Sequence, residues 1–295
     1  MSNEIFKKNL NDFYSAVSLI QFYQRLIKKN IKKELIELHD TLNNLSNIDD
    51  EDIKTLHGQS IDAFFFYNPI TGHIQPYECK RTLINEKENI IHFHKNKQYQ
   101  WLLAEAYELF EDYVESLYAC CGYTDKSFWQ LADYGTISID EIDGKDYSWF
   151  LKRARDRKGG IKEILAQFRK KIPELENIEK NNSTGLNLRL SISLIENLRH
   201  IIVHKNGMVT SKDNFIKKVL SESGLTNNND AKNVINSFFG QNEYENLIVL
   251  LEQFMLNSPA ISIETNRHEH LVGDLIGYTY LLHKLVVEKF FPIEE

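Results

Sequence analysis

The stretch Trp101–Ala119, WLLAEAYELFEDYVESLYA, has the helical pattern on which the expected fold class rests. Its apolar side chains return at three- and four-residue steps and form two adjacent stripes along one side of a helix. An apolar face this wide predicts a helix that is buried between neighbouring helices. The opposite side carries an acidic stripe, which consists of Glu105, Glu108, Asp112 and Glu115.

The same periodicity predicts helices over most of the chain, with one insertion. Further helices are expected over Asn3–Leu45, Ser148–Lys171 with a break at Gly159-Gly160, Leu186–His204, Tyr244–Leu256 and His268–Phe291. Turn residues indicate a short hairpin around Ala63–Tyr77, and Ala260–Glu264 alternates like a short strand. We therefore expect an all-α helical bundle with a short β/loop insertion. Residues 1–95 would form an N-terminal helical extension with an irregular segment, and residues 96–295 the main helical domain.

Composition excludes several other classes of protein. Among the 295 residues, 42% are hydrophobic and 12% aromatic, so the chain can bury a core and is not disordered. The net charge of −7 argues against a generally basic nucleic-acid-binding protein but allows a local basic patch. Three cysteines without C-x-x-C spacing argue against a disulfide framework. With no signal peptide and no membrane-length apolar run, we expect a cytoplasmic protein.

The stretch Glu196–Gly207, ENLRHIIVHKNG, holds the residues that could carry chemistry. Arg199 shares a helical face with Ile192 and Ile195, where a permanent charge is costly unless it is paired or lies at an interface. His204 lies about 140° around an ideal helix from Arg199, so one straight helix keeps the two side chains apart. Fraying of the helix end, or a second copy facing the first in a two-fold dimer, would bring them together.

An arginine and a histidine together suit the cleavage of RNA by its own 2′-hydroxyl group. Arg199 offers a fork of donors to a phosphate, and His204 belongs to the residue type that moves protons near neutral pH. The structural alternative is an ion pair between Arg199 and Glu196, with His204 bound to carbonyls at the helix end. Both interpretations stay open on these residues alone.

This helix end resembles the R-x4–6-H motif of the HEPN superfamily, in the form R-[polar]-x3-H followed by an x-N-G-like turn. The segment LLAEAYELFEDYVESLYA is similar to the first core helix of prokaryotic HEPN domains, particularly the RiboL-PSP-HEPN and related defence-associated groups. The resemblance covers about residues 97–290. It implies an all-α domain that dimerises around a composite cleft and acts as an endoribonuclease without metal or other cofactor. Such a protein would be a toxin or an antiphage-defence effector. Its partners would be RNA, a second copy of itself, and an antitoxin or defence-system protein, with no membrane.

The resemblance also implies roles for individual residues. Arg199 and His204 would be the catalytic pair, and His200 would assist them as the polar residue after the arginine. Around this pair, Lys205 and Asn206 would contact substrate, and Glu196, Asn197, Glu108 and Glu111 would support the site. For Glu108 and Glu111 the alternative is a solvated helix face. The competing function is a non-catalytic dimer that binds RNA or a partner protein.

A basic segment gives a second indication of RNA. Lys152–Lys171 carries nine basic residues against two acidic ones, in a chain that is acidic as a whole. One interpretation is that the segment binds phosphates, through Arg153, Arg155, Arg157 and Lys158. The other interpretation is that the segment pairs with the acidic stripe of Trp101–Ala119.

A third and weaker interpretation is a metal-dependent hydrolase. Its ligands would be His268, His270 and Glu264, and His92 and His94 form a similar pair. We favour surface histidines at all four of these positions, because no third ligand is evident from the spacing.

Overall fold

The computed structural model of the chain describes residues 3–157, 159–254 and 264–292. These residues form a mostly helical protein with two small antiparallel sheets, which confirms the expected all-α fold with a short β insertion. Within the described ranges, no helix is both long and apolar enough to cross a membrane. The helices are α1 Asn3–Ser46, α2 Glu51–His57, α3 Lys87–Thr124, α4 Ile139–Asp143, α5 Tyr147–Arg155, α6 Gly160–Lys171, α7 Pro173–Lys180, α8 Leu188–Lys205, α9 Lys212–Ser223, α10 Asn229–Asn236 and α11 Arg267–Phe290.

The chain divides into two compact units, and the larger one is discontinuous in sequence. It consists of Met1–Phe22 and Tyr99–Glu295, whereas the smaller unit is Tyr23–Gln98. The start of α1 joins the larger unit because its apolar side chains pack there. The ring of Phe13 lies 5.5 Å from that of Tyr113 on α3. The domain boundary expected at residue 95 stays a prediction.

The smaller unit contains the hairpin. Strands β1 Gln59–Tyr67 and β2 Ile74–Leu83 pair antiparallel, which confirms the hairpin expected around Ala63–Tyr77 and extends it at both ends. Asn68 shapes the turn, since its Oδ1 accepts a hydrogen bond of 2.8 Å from the N–H of Ile70. Large apolar side chains on both strands are exposed, among them those of Phe65, Tyr67 and Tyr77. The core of this unit is built from Ile31, Leu38 and Ile91.

The core of the larger unit is built on the predicted helix Trp101–Ala119. The segment Trp101–Ala119 lies within α3, and it fully buries Leu103, Tyr107, Phe110 and Leu117. The expected break at Gly159-Gly160 is also present, where α5 and α6 are separate helices. The two apolar stripes on α3 are therefore buried, as predicted, and other elements pack against them.

The helix expected over Tyr244–Leu256 was wrong within its described part. Asn242–Tyr244 is a single 3-10 turn, and β3 Glu252–Phe254 pairs with β4 Glu264–Asn266. Between the 3-10 turn and β3, Leu247 and Ile248 form isolated β-bridges, and the N–H of Ile248 donates to the carbonyl of Gly207 across 2.9 Å. A short apolar run fits a buried extended segment as well as a helix, so its periodicity did not distinguish them. Residues 255–256, and residues 260–263 of the expected strand Ala260–Glu264, lie outside the described residues.

Candidate active site

Helix α8 begins and ends at well-defined caps, which fixes the side chains near its C-terminal end. At its start, the side chain of Asn187 accepts a hydrogen bond of 2.9 Å from the N–H of Leu190. At its end, Asn206 and Gly207 have φ angles of +53° and +76°, and the N–H of Gly207 donates to the carbonyl of Ile201. This is the left-handed cap that the Asn-Gly pair predicts.

Gly207 is enclosed as well as left-handed. A Cβ atom there would lie 2.4 Å from Oε1 of Gln100. Gln100 is itself buried, and its Nε2 donates to the carbonyl of Ile248 across 2.7 Å. The end of α8 is therefore held by the packing of α3 and the segment around Ile248, and it does not depend on the helix alone.

Arg199 lies partly buried on α8, with 26% of its side chain exposed. Its Nη2 donates to Oε1 of Glu108 on α3 across 3.0 Å. Its Nε is buried and has no hydrogen-bond partner in the described part of the chain. Glu196, the alternative partner considered from the sequence, instead forms an ion pair of 3.2 Å with Lys162. The guanidinium is thus oriented from α3 but is not fully satisfied.

Two further carboxyl groups create an unusual electrostatic environment beside Arg199. Burial, partly offset by the charge of Arg199 and reinforced by Glu115 and Glu196, raises the pKa of Glu111 to about 7. Burial also raises the pKa of Glu196. Glu111 can therefore hold or release a proton near neutral pH, within the electrostatic field of Arg199.

His200 and His204 form an exposed imidazole pair at the end of α8. Their ring centroids are 4.8 Å apart and their planes are inclined by 52°. Desolvation, followed by the charges of His204 and Lys218, lowers the pKa of His200, which favours its neutral form. Lys205 and Asn206 are exposed beside this pair. The helix end therefore offers proton-transfer groups and a cation to solvent.

The end of α8 does not fray, so within one copy of the chain Arg199 and His204 are not brought together. The helix stays regular through Lys205, so the two side chains are still about 140° apart around its axis. Of the two arrangements considered from the sequence, a second copy is the one compatible with this regular helix.

Asn197 belongs to a partly buried polar network that the sequence did not reveal. Its Nδ2 donates to Oε2 of Glu222 on α9 across 2.6 Å and to the carbonyl of Ser193 across 2.9 Å. Lys162 lies 2.9 Å from the other carboxylate oxygen of Glu222. No spacing rule connects Glu222 with the arginine and histidine, because it lies on a different helix. The network fixes α8 against α6 and α9.

The basic segment is largely engaged with other protein groups. Nη2 of Arg153 donates to the carbonyl of Asp133 across 2.7 Å, and Nε of Arg157 lies 3.1 Å from Oδ1 of Asp133. The Arg157 side chain is 9% exposed. Arg155 lies 3.6 Å from Asp112 and 3.9 Å from Glu115, so part of the expected pairing with the acidic stripe is present. Lys158 lies outside the described residues. RNA contact by this segment stays a prediction.

The histidines considered as metal ligands do not form a metal site in the described part of the chain. His268, expected at the surface, is buried with 1% exposure, and burial lowers its pKa to about 4. His270 and His94 are exposed, and His92 lies 3.9 Å from Glu88. The side chain of Glu264 lies outside the described part of the structure. Within that part, no group of three histidine, cysteine or acidic side chains is arranged to hold a metal ion.

Comparisons of the chain with protein-family models, with curated proteins and with solved structures found no match.

Proposed function

We propose that this chain is a metal-independent endoribonuclease of the HEPN type that acts as a homodimer in the cytoplasm. The observation that carries the proposal is the exposed His200–His204 pair at the fixed end of α8, on the same helix as a partly satisfied Arg199. Cleavage of a phosphodiester uses groups of this kind: imidazoles that accept and donate protons, and a fixed cation that binds the phosphate. The resemblance of the motif supports a role as a toxin or antiphage-defence effector, restrained by an antitoxin or another defence-system protein.

The reaction proceeds through the substrate's own 2′-hydroxyl group. The 2′-oxygen forms a bond to phosphorus and gives its proton to a neutral imidazole. The bond from phosphorus to the 5′-oxygen breaks, and that oxygen receives a proton from an imidazolium. Arg199 stabilises the charge on the pentacoordinate phosphorus, His204 carries the proton, and His200 assists. The products are a 2′,3′-cyclic phosphate and a 5′-hydroxyl.

A dimer can bring together the arginine and the histidine that a single α8 keeps apart. In a two-fold pair of α8 helices, Arg199 of one copy can face His204 of the other, and each dimer then holds two such sites. This arrangement can be tested by mixing two variants. Arg199→Ala and His204→Ala should each be inactive alone, whereas a mixed dimer contains one intact site and one doubly altered site.

The experiment is an RNA-cleavage assay on each variant and on their refolded or co-expressed mixture. We expect the mixture to recover up to about one quarter of the wild-type rate, because half of the dimers are mixed and each has one of two sites. Inactive variants whose mixture also stays inactive would contradict the composite site. Full activity in each single variant would contradict the assignment of these residues.

A specific contact also favours the competing function. The guanidinium of Arg199 is hydrogen-bonded to Glu108, and a phosphate would have to displace this carboxylate. A non-catalytic dimer that binds RNA or a partner protein has no need of a free arginine. Under that alternative the wild-type protein binds RNA and leaves it intact.

A further inference from the structure

A cleft of about 320 Å³ lies beside the His200–His204 pair, where α8 ends and α9 begins. Its apolar lining comes from Ile201, Val209 and Phe215, which are all buried. Its polar lining includes the side chains of His200, Lys205 and Lys218. The volume is at the lower end of the range for small-ligand sites, about 300–1,000 Å³, and suits a group the size of one nucleotide.

The charge of this cleft is opposite to that of the protein. Its lining residues, all in the described part of the chain, include two lysines and no carboxylate. By contrast, a cleft of about 440 Å³ is lined by Asp133, Asp156 and Glu163 together with two arginines, and one of about 310 Å³ by Glu196 and Glu222 together with three basic residues. In a chain of net charge −7, a cleft without acidic residues marks a place where an anion is tolerated.

The two lysines are available to a ligand. Nζ of Lys218 lies 4.0 Å from Oε1 of Glu222, at the limit of an ion pair, and Glu222 is already bound by Lys162 at 2.9 Å. No described carboxylate lies within ion-pair distance of Lys205. Both side chains are exposed, so neither charge is strongly neutralised by the protein.

We infer that this cleft binds a backbone phosphate and its attached nucleotide of a single-stranded RNA, next to the bond that the histidine pair would cleave. Lys218 and Lys205 contact the phosphate, and Asn214 adds a polar side chain to the cleft lining. The apolar surface of Ile201, Val209 and Phe215 supports the sugar or base. The inference rests on the proposed function for its substrate class, and it adds Lys218 and Asn214 to the residues expected to contact RNA.

The test uses a labelled single-stranded RNA made of 2′-O-methyl nucleotides, because a methylated 2′-oxygen cannot attack phosphorus. Fluorescence anisotropy then measures binding alone. Lys218→Gln should weaken binding by up to about fivefold, the range expected for one exposed ion pair. It should also flatten the dependence of log affinity on log salt concentration by about 0.7, the value for one phosphate contact with a single strand.

The matched control is Lys217→Gln. Lys217 is the adjacent residue of α9, is exposed and has the same charge, but does not line the cleft. Its affinity and salt slope should equal those of the wild type. Equal losses in the two variants would overturn the inference, since only net charge would then matter.

The same titrations separate this inference from the proposed function. If the methylated RNA binds in a Lys218-dependent manner but ordinary RNA is never cleaved, the cleft stands and the nuclease proposal fails. If ordinary RNA is cleaved and binding does not depend on Lys218, the nuclease proposal stands and the cleft fails.

Discussion

Nη2 of Arg199 lies 3.0 Å from Oε1 of Glu108, and this contact joins α8 to α3 across 91 positions of sequence. The Glu108 side chain is 58% exposed, so solvent screens the pair and its contribution to stability is at most about 1 kcal/mol. A contact this weak can be exchanged for a phosphate. Glu108 would then hold Arg199 in position before RNA binds and compete with the RNA for the same guanidinium.

Replacement of Glu108 should therefore strengthen RNA binding. We expect Glu108→Gln to bind the 2′-O-methyl RNA up to about fivefold more tightly than the wild type, because the competing carboxylate is gone. Glu105→Gln removes an equal charge from the same exposed side of α3 and serves as the control. If both variants gain affinity equally, the effect comes from net charge and the competition at Arg199 is disproved.

Glu111 should make RNA binding depend on pH near neutrality. Burial raises its pKa to about 7, so Glu111 is mostly neutral below this pH and becomes negative above it, beside Arg199. We expect affinity for the methylated RNA to fall as pH rises from 6 to 8, and to fall less in Glu111→Gln. Histidines also titrate in this range, so the difference between variant and wild type is the quantity to measure. Identical pH profiles would refute this role for Glu111.

Replacement of Gly207 at the end of α8 should destabilise the protein more than replacement of Gly224 at the end of α9. Gly207→Ala combines a left-handed backbone at φ +76° with a Cβ atom 2.4 Å from the buried Gln100 side chain. Gly224 at the end of α9 has the same φ but open space around its Cβ. Gly224→Ala should lower the free energy of unfolding by about 1 kcal/mol, and Gly207→Ala by more. Equal losses in denaturant titrations would show that Gln100 moves aside without cost.

His268 should make folding weaker in acid. Burial lowers its pKa from 6.5 to about 4, so the unfolded chain takes up a proton at higher pH than the folded chain does. This contribution to stability is complete above about pH 6.5 and is lost as pH falls toward 4. Between pH 7.5 and pH 5 the wild type should lose about 2 kcal/mol that His268→Leu does not lose. His94→Leu, which removes an exposed histidine, is the control variant, and an equal loss in His268→Leu and the wild type would contradict this role of His268.

The fold was predictable from the sequence where an apolar pattern was long or where residues such as Asn-Gly clearly ended a helix. The stripes of Trp101–Ala119 identified a buried helix, and Asn206-Gly207 identified the end of α8. The hairpin followed from turn residues around Asn68. These features depend on residues that are close in sequence, and local propensity and periodicity report on such neighbours.

Contacts between distant elements were not predictable. Nothing near Asn197 in the sequence points to Glu222, and the short run around Ile248 fits either a helix or an extended segment until its pairing with Gly207 is known. The burial of His268 was likewise set by neighbours on other elements, such as Tyr99, whose ring lies 5.3 Å away. Tertiary packing decided each of these cases.

The proposed nuclease is tested most simply by RNA cleavage with the purified protein in excess EDTA, with wild type and His204→Ala compared at equal concentration. His204 is exposed, so the variant should fold normally, which circular dichroism and thermal unfolding can verify. We predict that the wild type cleaves RNA to 2′,3′-cyclic phosphate and 5′-hydroxyl ends, and that His204→Ala is slower by at least about 100-fold. An equal rate in the variant, or loss of wild-type cleavage in EDTA, would contradict the proposed metal-independent nuclease.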